Sequence, residues 1–235
     1  MKIQRAFSQN AKAYDQVNII QKKVIQKLIS KIEESPMRLL DIGCGNGTFY
    51  NAVCWPIEIF VGIDFAEGML SLHPQPTSVN LLRRDFNMPN TFKGLESYHF
   101  DRIVSSSALQ WATNLNKTLA QIAKLNVPVS FSIFTSNTFK TLHETAGLSP
   151  ILRSKDEVIS LLQKYFSGKI EILHYTLEFT SVREMFRYMK RSGVGASRNT
   201  LCYKEMKKLM REYPLHYLEY EVVILHEQDI HQRTV

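Results

Sequence analysis

Acidic residues stand at the ends of three predicted strands, and the first of them leads into a glycine-rich turn. The segment 39–47 reads Leu-Leu-Asp-Ile-Gly-Cys-Gly-Asn-Gly, which predicts a buried strand, a tight turn and then a helix. Alternate glycines let the backbone approach a ligand and adopt positive φ. Their spacing, G-x-G-x-G, differs from the G-x-G-x-x-G of dinucleotide sites. Asp41 would repel a phosphate and suits the ammonium of an amino-acid ligand. This favours S-adenosylmethionine over NAD; the alternative is an ordinary strand-to-helix turn.

The second and third acids extend this candidate site. Asp64 ends the next predicted strand, roughly twenty residues past the turn, where an acid binds a ribose diol in nucleoside-binding sheets; its alternative role is a helix N-cap. Asp85 ends the third strand and can accept from an adenine amino group, or it is a solvated loop acid. Phe86 can cover the adenine, and Phe65 and Met69 can pack on its other side, although their spacing is also typical of plain helix packing. The three acids together are more specific than any one of them.

The hydrophobic pattern predicts the elements that must position these residues. Apolar residues recur at three- and four-residue steps through residues 1–35, which predicts a long helix ended by the Ser35-Pro36 pair. Strands then alternate with helices, so we expect an α/β fold with a mostly parallel sheet and helices on both faces. Ligands of such sheets bind at the C-terminal ends of the strands. The expected strands are 38–42, 57–63, 79–83, 100–105, 127–134, 170–179 and 217–225, and the expected later helices are 48–53, 66–72, 115–125, 138–146, 154–165, 181–192 and 200–212.

Composition narrows the class of protein and of partner. The chain has 235 residues, 44% of them hydrophobic, and a formal net charge of +7. That length suffices for one sizeable core, and the charge favours an acidic partner: a nucleic acid, an anionic membrane surface or an acidic protein. Cys44, Cys54 and Cys202 are too few and too scattered for a disulfide framework or a metal site. We therefore expect a cytoplasmic protein without metal, and no stretch is long enough to predict a membrane span.

The glycine turn and the three acids resemble the motifs of class I S-adenosylmethionine-dependent methyltransferases over residues 35–135. The resemblance implies a Rossmann-like fold with a seven-stranded, mostly parallel sheet, an N-terminal helix and a helical cap insert. In that family the turn holds the methionine part of the cofactor, the second acid the ribose and the third acid the adenine. The segment 124–128 departs from the family because it lacks a Pro-Gly-Gly turn. The implied cofactor-binding residues are Tyr14, Gln21, Asp41, Gly43, Cys44, Gly45, Asp64, Phe65, Met69, Asp85, Phe86, Ser105 and Leu109.

The Leu-Gln-Trp run at 109–111 resembles a subgroup of methyltransferases that act on small carboxylic acids. This subgroup includes the malonyl-acyl-carrier-protein O-methyltransferase (BioC) family of biotin synthesis and the trans-aconitate methyltransferases. Segments at 6–15, 134–144, 189–196 and 213–217 are similar to the first of these. The resemblance implies a single domain over 1–235, divided into a lid helix at 1–35, a cofactor-binding core at 36–135, cap segments at 136–168 and 181–213, and a last strand at 214–226.

The implied reaction is methyl transfer from S-adenosylmethionine to a free malonyl carboxylate. A carboxylate is ionised at neutral pH, with a pKa of about 4, so the reaction needs no general base and we predict no catalytic side chain. Tyr14, Trp111, Arg187 and Lys190 are candidates for positioning the substrate. The alternatives are a core role for Trp111 and solvated surface charges for the basic residues.

A basic bias runs through the insert from Arg183 to Arg211. It suits an acyl carrier protein, which is acidic, as the bearer of the malonyl group. Nucleic acid is disfavoured because the chain lacks a stacking-aromatic series, and no membrane partner is expected. Two alternatives stay open: a methyltransferase for a free acid such as trans-aconitate, and a catalytically silent module that binds S-adenosylmethionine.

Overall fold

The computed structural model describes residues 18–192 and 203–228. Wherever the structure describes them, the strands and the helices after residue 36 end within two residues of their predicted boundaries. The Ser154 hydroxyl caps the helix that follows it by accepting the Glu157 N–H (3.2 Å), as predicted. The elements are α1 (Ile19–Ile29), β1 (Arg38–Ile42), α2 (Thr48–Ala52), β2 (Ile59–Asp64), α3 (Glu67–Leu70), β3 (Val79–Arg83), β4 (Arg102–Ser106), α4 (Leu115–Ala123), β5 (Val129–Phe134), α5 (Lys140–Thr145), α6 (Lys155–Tyr165), β6 (Lys169–Glu178), α7 (Val182–Ser192), α8 (Tyr203–Glu212) and β7 (Tyr217–His226).

The seven strands form one sheet in the order β3-β2-β1-β4-β5-β7-β6. Strands β1 to β5 pair in parallel, and β7 runs antiparallel to both β5 and β6. The mostly parallel seven-stranded sheet is therefore confirmed. The chain moves from β1 outward to β2 and β3 and then returns to β4 on the other side of β1. The crevice at the C-terminal ends of β1 and β4 is thus the switch point where ligands of such sheets bind.

Alternate residues of each strand feed two apolar layers, one on each face of the sheet. Helices α4 and α6 cover one face, and helices α1, α7 and α8 cover the other. Because both faces are covered, the central strands are buried almost without interruption, as expected for a parallel sheet. The first layer includes Leu40, Ile42, Ile103, Leu119, Ile133, Leu162 and Val223, and the second includes Ile20, Val24, Leu28, Leu39, Phe60, Val104, Met185, Leu209 and Val222.

Helix α1 ends earlier than the sequence predicted. The prediction of one helix through residue 35 is wrong at its C-terminal end, because α1 stops at Ile29; residues 1–17 lie outside the described part of the chain. The Ser30 hydroxyl donates to the Lys27 carbonyl (2.8 Å), and the next two N–H groups bond three residues back instead of four. These local bonds close the helix before the Ser-Pro pair is reached.

The buried carboxylate of Glu221 on β7 holds the segment that follows β5. It accepts hydrogen bonds from the Thr135 hydroxyl, from the Asn137 amide (3.0 Å) and from His174 Nε2 (3.1 Å). This clamp fixes the chain where it leaves the C-terminal end of β5. Across the two described ranges, no helix is long and apolar enough to cross a membrane, and no cluster of His, Cys, Asp or Glu could hold a metal ion.

Candidate cofactor and acceptor cleft

The turn after β1 lies directly against the end of β2 and the segment after β4. The Gly43 and Cys44 N–H groups both donate to the Ile63 carbonyl, at 2.7 and 3.1 Å. Gly43 has φ of +77°, and a Cβ placed on it would lie 2.3 Å from the Ala108 Cβ. No residue but glycine fits there without moving a neighbouring chain segment. Glycine at this position therefore lets the turn pack directly against the segment after β4 at the edge of the switch point.

Asp64 ties this turn to the segment that enters α3. One of its carboxylate oxygens accepts the Gly45 N–H (3.0 Å) and the other accepts the Ala66 N–H (2.8 Å). The alternative role predicted for Asp64 was that of a helix N-cap. Ala66 occupies the N-cap position of α3, and Asp64 lies two residues before it. Burial raises the pKa of Asp64. Because a carboxylate has about four acceptor positions, capacity remains for a ribose hydroxyl.

Asp41 is the most unusual group of the cleft. Its side chain is 2% exposed, and its Oδ2 atom has no hydrogen-bond partner. Burial, and secondarily the charge of Asp64, raises the pKa of Asp41 to about 8. A buried acceptor without a donor is costly, and a cation or an ammonium group would remove that cost. The Asp41 site therefore fits a cofactor that carries positive charge, as S-adenosylmethionine does.

Ten of the residues singled out from the sequence line a single cleft at the switch point. They are Gln21, Asp41, Gly43, Cys44, Gly45, Asp64, Phe65, Met69, Phe86 and Trp111. The sequence interpretation missed Asn18, Ile25, Asn46, Thr48, Phe49, Ser106, Ser107 and Ala108, which also line it. Helical spacing could have found two of these, since Ile25 lies one turn after Gln21 on α1 and Asn18, the N-cap residue of α1, lies three residues before Gln21.

Three predicted cofactor residues lie beside the cleft and do not line it. Asp85 accepts the backbone and side-chain N–H groups of Asn87 (both 2.9 Å), and its charge adds to the raised pKa of Asp64. The Ser105 hydroxyl donates to the Ile42 carbonyl (2.7 Å), which joins β4 to β1. Leu109 is fully buried in the apolar layer under the cleft. Their contacts with a cofactor remain predictions.

The remaining predicted positions divide between the surface and the undescribed part of the chain. Arg187 and Lys190 are exposed on α7 and do not line the cleft. Tyr14 lies outside the described residues. Cys44 does line the cleft, but burial raises the pKa of its thiol well above the usual value, so the thiol is protonated and does not act as a nucleophile.

The wall of the cleft beside the glycine turn is built by the segment after β4. Ser107 adopts φ of +58°, a conformation that residues other than glycine rarely take. It is held there because its N–H donates to the Ser132 carbonyl (3.0 Å) and its carbonyl accepts the Gln110 amide (2.6 Å). The Ser107 hydroxyl is buried and has no partner. Trp111, half-buried in the 3-10 helix Leu109–Trp111, completes this wall.

Known proteins are similar to this chain in sequence and in fold. A family model described as "Methyltransferase domain" matches residues 33–208. The malonyl-[acyl-carrier protein] O-methyltransferase of Bacillus cytotoxicus is 25% identical over 85% of this chain and 78% of its own length. Proteins of the same name from other organisms match at 25–29% identity.

Two solved structures show the same fold at low sequence identity. A putative methyltransferase from an antibiotic biosynthesis pathway of Anabaena variabilis has a TM-score of 0.60 at 13% identity, covering 87% of this chain and 97% of its own. Phosphoethanolamine N-methyltransferase 2 of Haemonchus contortus, solved with S-adenosyl-L-methionine, has a TM-score of 0.55 at 14% identity and covers 94% of this chain and 57% of its own.

Proposed function

This chain belongs to the methyltransferase-domain family, and on that premise we propose that it methylates the free carboxylate of a malonyl group carried on acyl carrier protein, an early step of biotin synthesis. The general activity is S-adenosylmethionine-dependent methyl transfer, and S-adenosylmethionine is the cofactor. The observation that carries the substrate assignment is the sequence similarity, over most of the chain, to proteins named for this reaction. The Leu-Gln-Trp run is part of this similarity and supports a small carboxylic acid as the acceptor.

The residues of the cleft fit the cofactor part by part. The turn at Gly43 and Gly45 and the acceptor of Asp41 would hold the amino-acid end, and Asp64 would accept from the ribose. Phe86, Phe65 and Met69 would enclose the adenine. When bound, S-adenosylmethionine supplies a methyl group on a positively charged sulfur. The carboxylate of Asp41, next to Asp64, would complement that positive charge in a site from which water is excluded.

The acceptor needs alignment more than activation. A malonyl carboxylate oxygen forms the new bond to the methyl carbon while the carbon–sulfur bond breaks and its electron pair stays on sulfur. No proton moves in this step, so the absence of a histidine or a lysine from the described lining of the cleft is consistent with it. The contribution of the protein is to hold oxygen, carbon and sulfur in line and to exclude water from the oxygen.

The exterior of the insert suits an acidic carrier protein. Arg183, Arg187 and Lys190 are exposed along one stripe of α7. Lys204, Lys207, Lys208 and Arg211 are exposed on α8. A cluster of positive charges raises the rate of encounter with a negatively charged protein. We therefore propose α7 and α8 as the docking surface for the acidic carrier protein.

The substrate assignment is tested by supplying methyl-labelled cofactor with malonyl-acyl carrier protein, malonyl-coenzyme A or trans-aconitate. We expect label in a methyl ester on the malonyl carrier, and base-labile release of that label as methanol. Transfer to trans-aconitate without transfer to a malonyl thioester would assign the chain to the free-acid methyltransferases. Cofactor binding without transfer to any of the three would identify a silent binding module.

The docking surface is tested by reversing two charges on α8, in the double variant Lys207→Glu and Lys208→Glu. At low salt we expect kcat/KM on the malonyl carrier to fall about tenfold, because the encounter is electrostatically steered, while malonyl-coenzyme A is methylated at an unchanged rate. The matched control reverses Lys93, which is exposed in the loop between β3 and β4, and Lys117, which is exposed on α4. Equal effects of the two double variants, or no effect of either, would remove carrier docking from this surface.

A further inference from the structure

The cleft contains buried polar atoms that find no partner in the protein. They belong to Asn18 (both Nδ2 and Oδ1), Gln21 (Oε1), Asp41 (Oδ2) and Ser107 (Oγ). Asn18 is 1% exposed. Each unpartnered group costs free energy in the folded protein. Their concentration around one cleft indicates that a bound ligand supplies the missing partners.

These atoms sort by their hydrogen-bonding chemistry. Asp41 Oδ2 and Gln21 Oε1 are acceptors, and acceptors suit the cationic and N–H groups of the cofactor. Asn18 Nδ2 and the Ser107 hydroxyl are donors, and they are the only buried side-chain donors without a partner among the described residues that line the cleft. Since both atoms of the Asn18 amide lack partners, the donor is available whichever way the amide is turned. Donors of this kind suit an anion.

The lack of basic side chains in the described lining of the cleft favours the same assignment. None of the described lining residues is Lys or Arg, and the basic residues predicted as anchors, Arg187 and Lys190, are exposed on α7. A bidentate arginine would stabilise the acceptor carboxylate in its ground state and lower the reactivity of its oxygen. Neutral donors orient a carboxylate without neutralising it. The positive φ of Ser107, maintained by bonds to Ser132 and Gln110, places its hydroxyl on the cleft wall at a local cost in strain.

We propose that the Asn18 amide and the Ser107 hydroxyl together hold the acceptor carboxylate by neutral hydrogen bonds and set the specificity of the cleft for a carboxylic acid. This inference rests on the proposed function, because a carboxylate acceptor is assumed. The two donors come from different parts of the chain, the N-cap residue of α1 and the segment after β4, and both residues line the same cleft as the proposed cofactor residues.

The test measures binding to the protein saturated with S-adenosylhomocysteine, so that no turnover is needed. Malonyl-coenzyme A and its methyl ester are titrated calorimetrically into the wild type, Asn18→Leu and Ser107→Ala. We expect each variant to bind malonyl-coenzyme A at least about tenfold more weakly than the wild type does, since a hydrogen bond to a charged group is lost. Binding of the methyl ester, which lacks the anion, is expected to change less than twofold.

Two further readouts separate this role from others. Affinity for S-adenosylmethionine alone is expected to stay within twofold of the wild type, and loss of that affinity would assign the two residues to the cofactor and overturn the proposal. Thermal stability of the free protein is expected to be equal or higher in both variants, because each removes a buried unpartnered group. Ser71→Ala is the control, since that exposed hydroxyl bonds the Gly68 carbonyl.

The outcomes distinguish this inference from the proposed function. A wild type that methylates malonyl thioesters but whose two variants bind them normally keeps the function and overturns the role of Asn18 and Ser107. A wild type that binds neither malonyl-coenzyme A nor trans-aconitate, and that transfers no methyl group to malonyl-acyl carrier protein, overturns both. A wild type that binds only trans-aconitate, with weaker binding in the two variants, keeps these residues as carboxylate ligands and removes the malonyl assignment.

Discussion

Replacing Asp41 by asparagine should stabilise the free protein while impairing its cofactor site. The pKa of Asp41 rises from its usual value of 3.8 to about 8 because of burial and of the neighbouring Asp64. The folded chain therefore favours the protonated acid, and the unfolded chain ionises it above pH 3.8. Between these two values each pH unit removes about 1.36 kcal/mol from the free energy of unfolding, so the full cost above pH 8 is roughly 6 kcal/mol. Asparagine has the shape of the neutral acid and carries none of this cost.

The measurement is urea unfolding of the wild type and Asp41→Asn at about pH 5.5 and about pH 8.5. The stability advantage of the variant should grow by roughly 3 kcal/mol between the two conditions. Calorimetry should show that the wild type binds S-adenosylmethionine with release of a proton near neutral pH, since a cation favours the ionised acid. The variant should bind at least about tenfold more weakly and release no proton at this site. A stability difference that does not change with pH, together with binding that releases no proton in the wild type, would refute the reasoning.

Two further predictions concern the backbone of the turn and the Glu221 clamp. Gly43→Ala should abolish cofactor binding and lower the melting temperature, because the new Cβ would lie 2.3 Å from the Cβ of Ala108. The matched control is Gly94→Ala, at a similar φ of +80° but with nothing within 4 Å of the new Cβ. Equal effects of the two substitutions would contradict a steric cause. Glu221→Gln should cost about 2 kcal/mol in urea unfolding at neutral pH. Burial opposes ionisation of Glu221, but its hydrogen bonds outweigh burial and hold its pKa below the usual value, so the wild type should lose this contribution as the pH falls through that lowered pKa. Persistence of the difference in acid would contradict it.

The sheet was predictable because its signals are local and strong. The run Phe60–Ile63 carries no charged side chain and ends beside Asp64, and the run Leu39–Ile42 is apolar apart from Asp41 and ends beside Gly43. The family resemblance implied seven strands, most of them parallel. The return of the chain at β4 and the antiparallel direction of β7 were not predicted, because the hydrophobic pattern says nothing about the order of strands. The end of α1 was missed because the Ser30 hydroxyl closes the helix through a side-chain bond that helical periodicity does not register.

The candidate site was predictable at the level of elements and less so at the level of atoms. Three serines follow one another at 105–107, and nothing in their sequence shows which belongs to the strand. The structure ends β4 at Ser106, turns the Ser105 hydroxyl toward β1 and leaves Ser107 on the cleft wall. Asp85 illustrates a second limit, since an acid at a strand end can bond the amide two residues on, and this local turn competes with a ligand for the same oxygen.

The distribution of charge in this chain separates long-range attraction from short-range positioning. A basic side chain beside the acceptor oxygen would attract the substrate but would also stabilise the nucleophile in its ground state, which lowers the gain on reaching the transition state. The same charge on α7 or α8 raises the rate of encounter without touching the reacting oxygen. Arg187 and Lys190 are exposed on α7, so they can attract an acidic partner from there. The cleft itself does not require a basic side chain. The cleft then needs only neutral donors for the anion and buried acceptors for the cation, and Asn18, Ser107 and Asp41 have that chemistry.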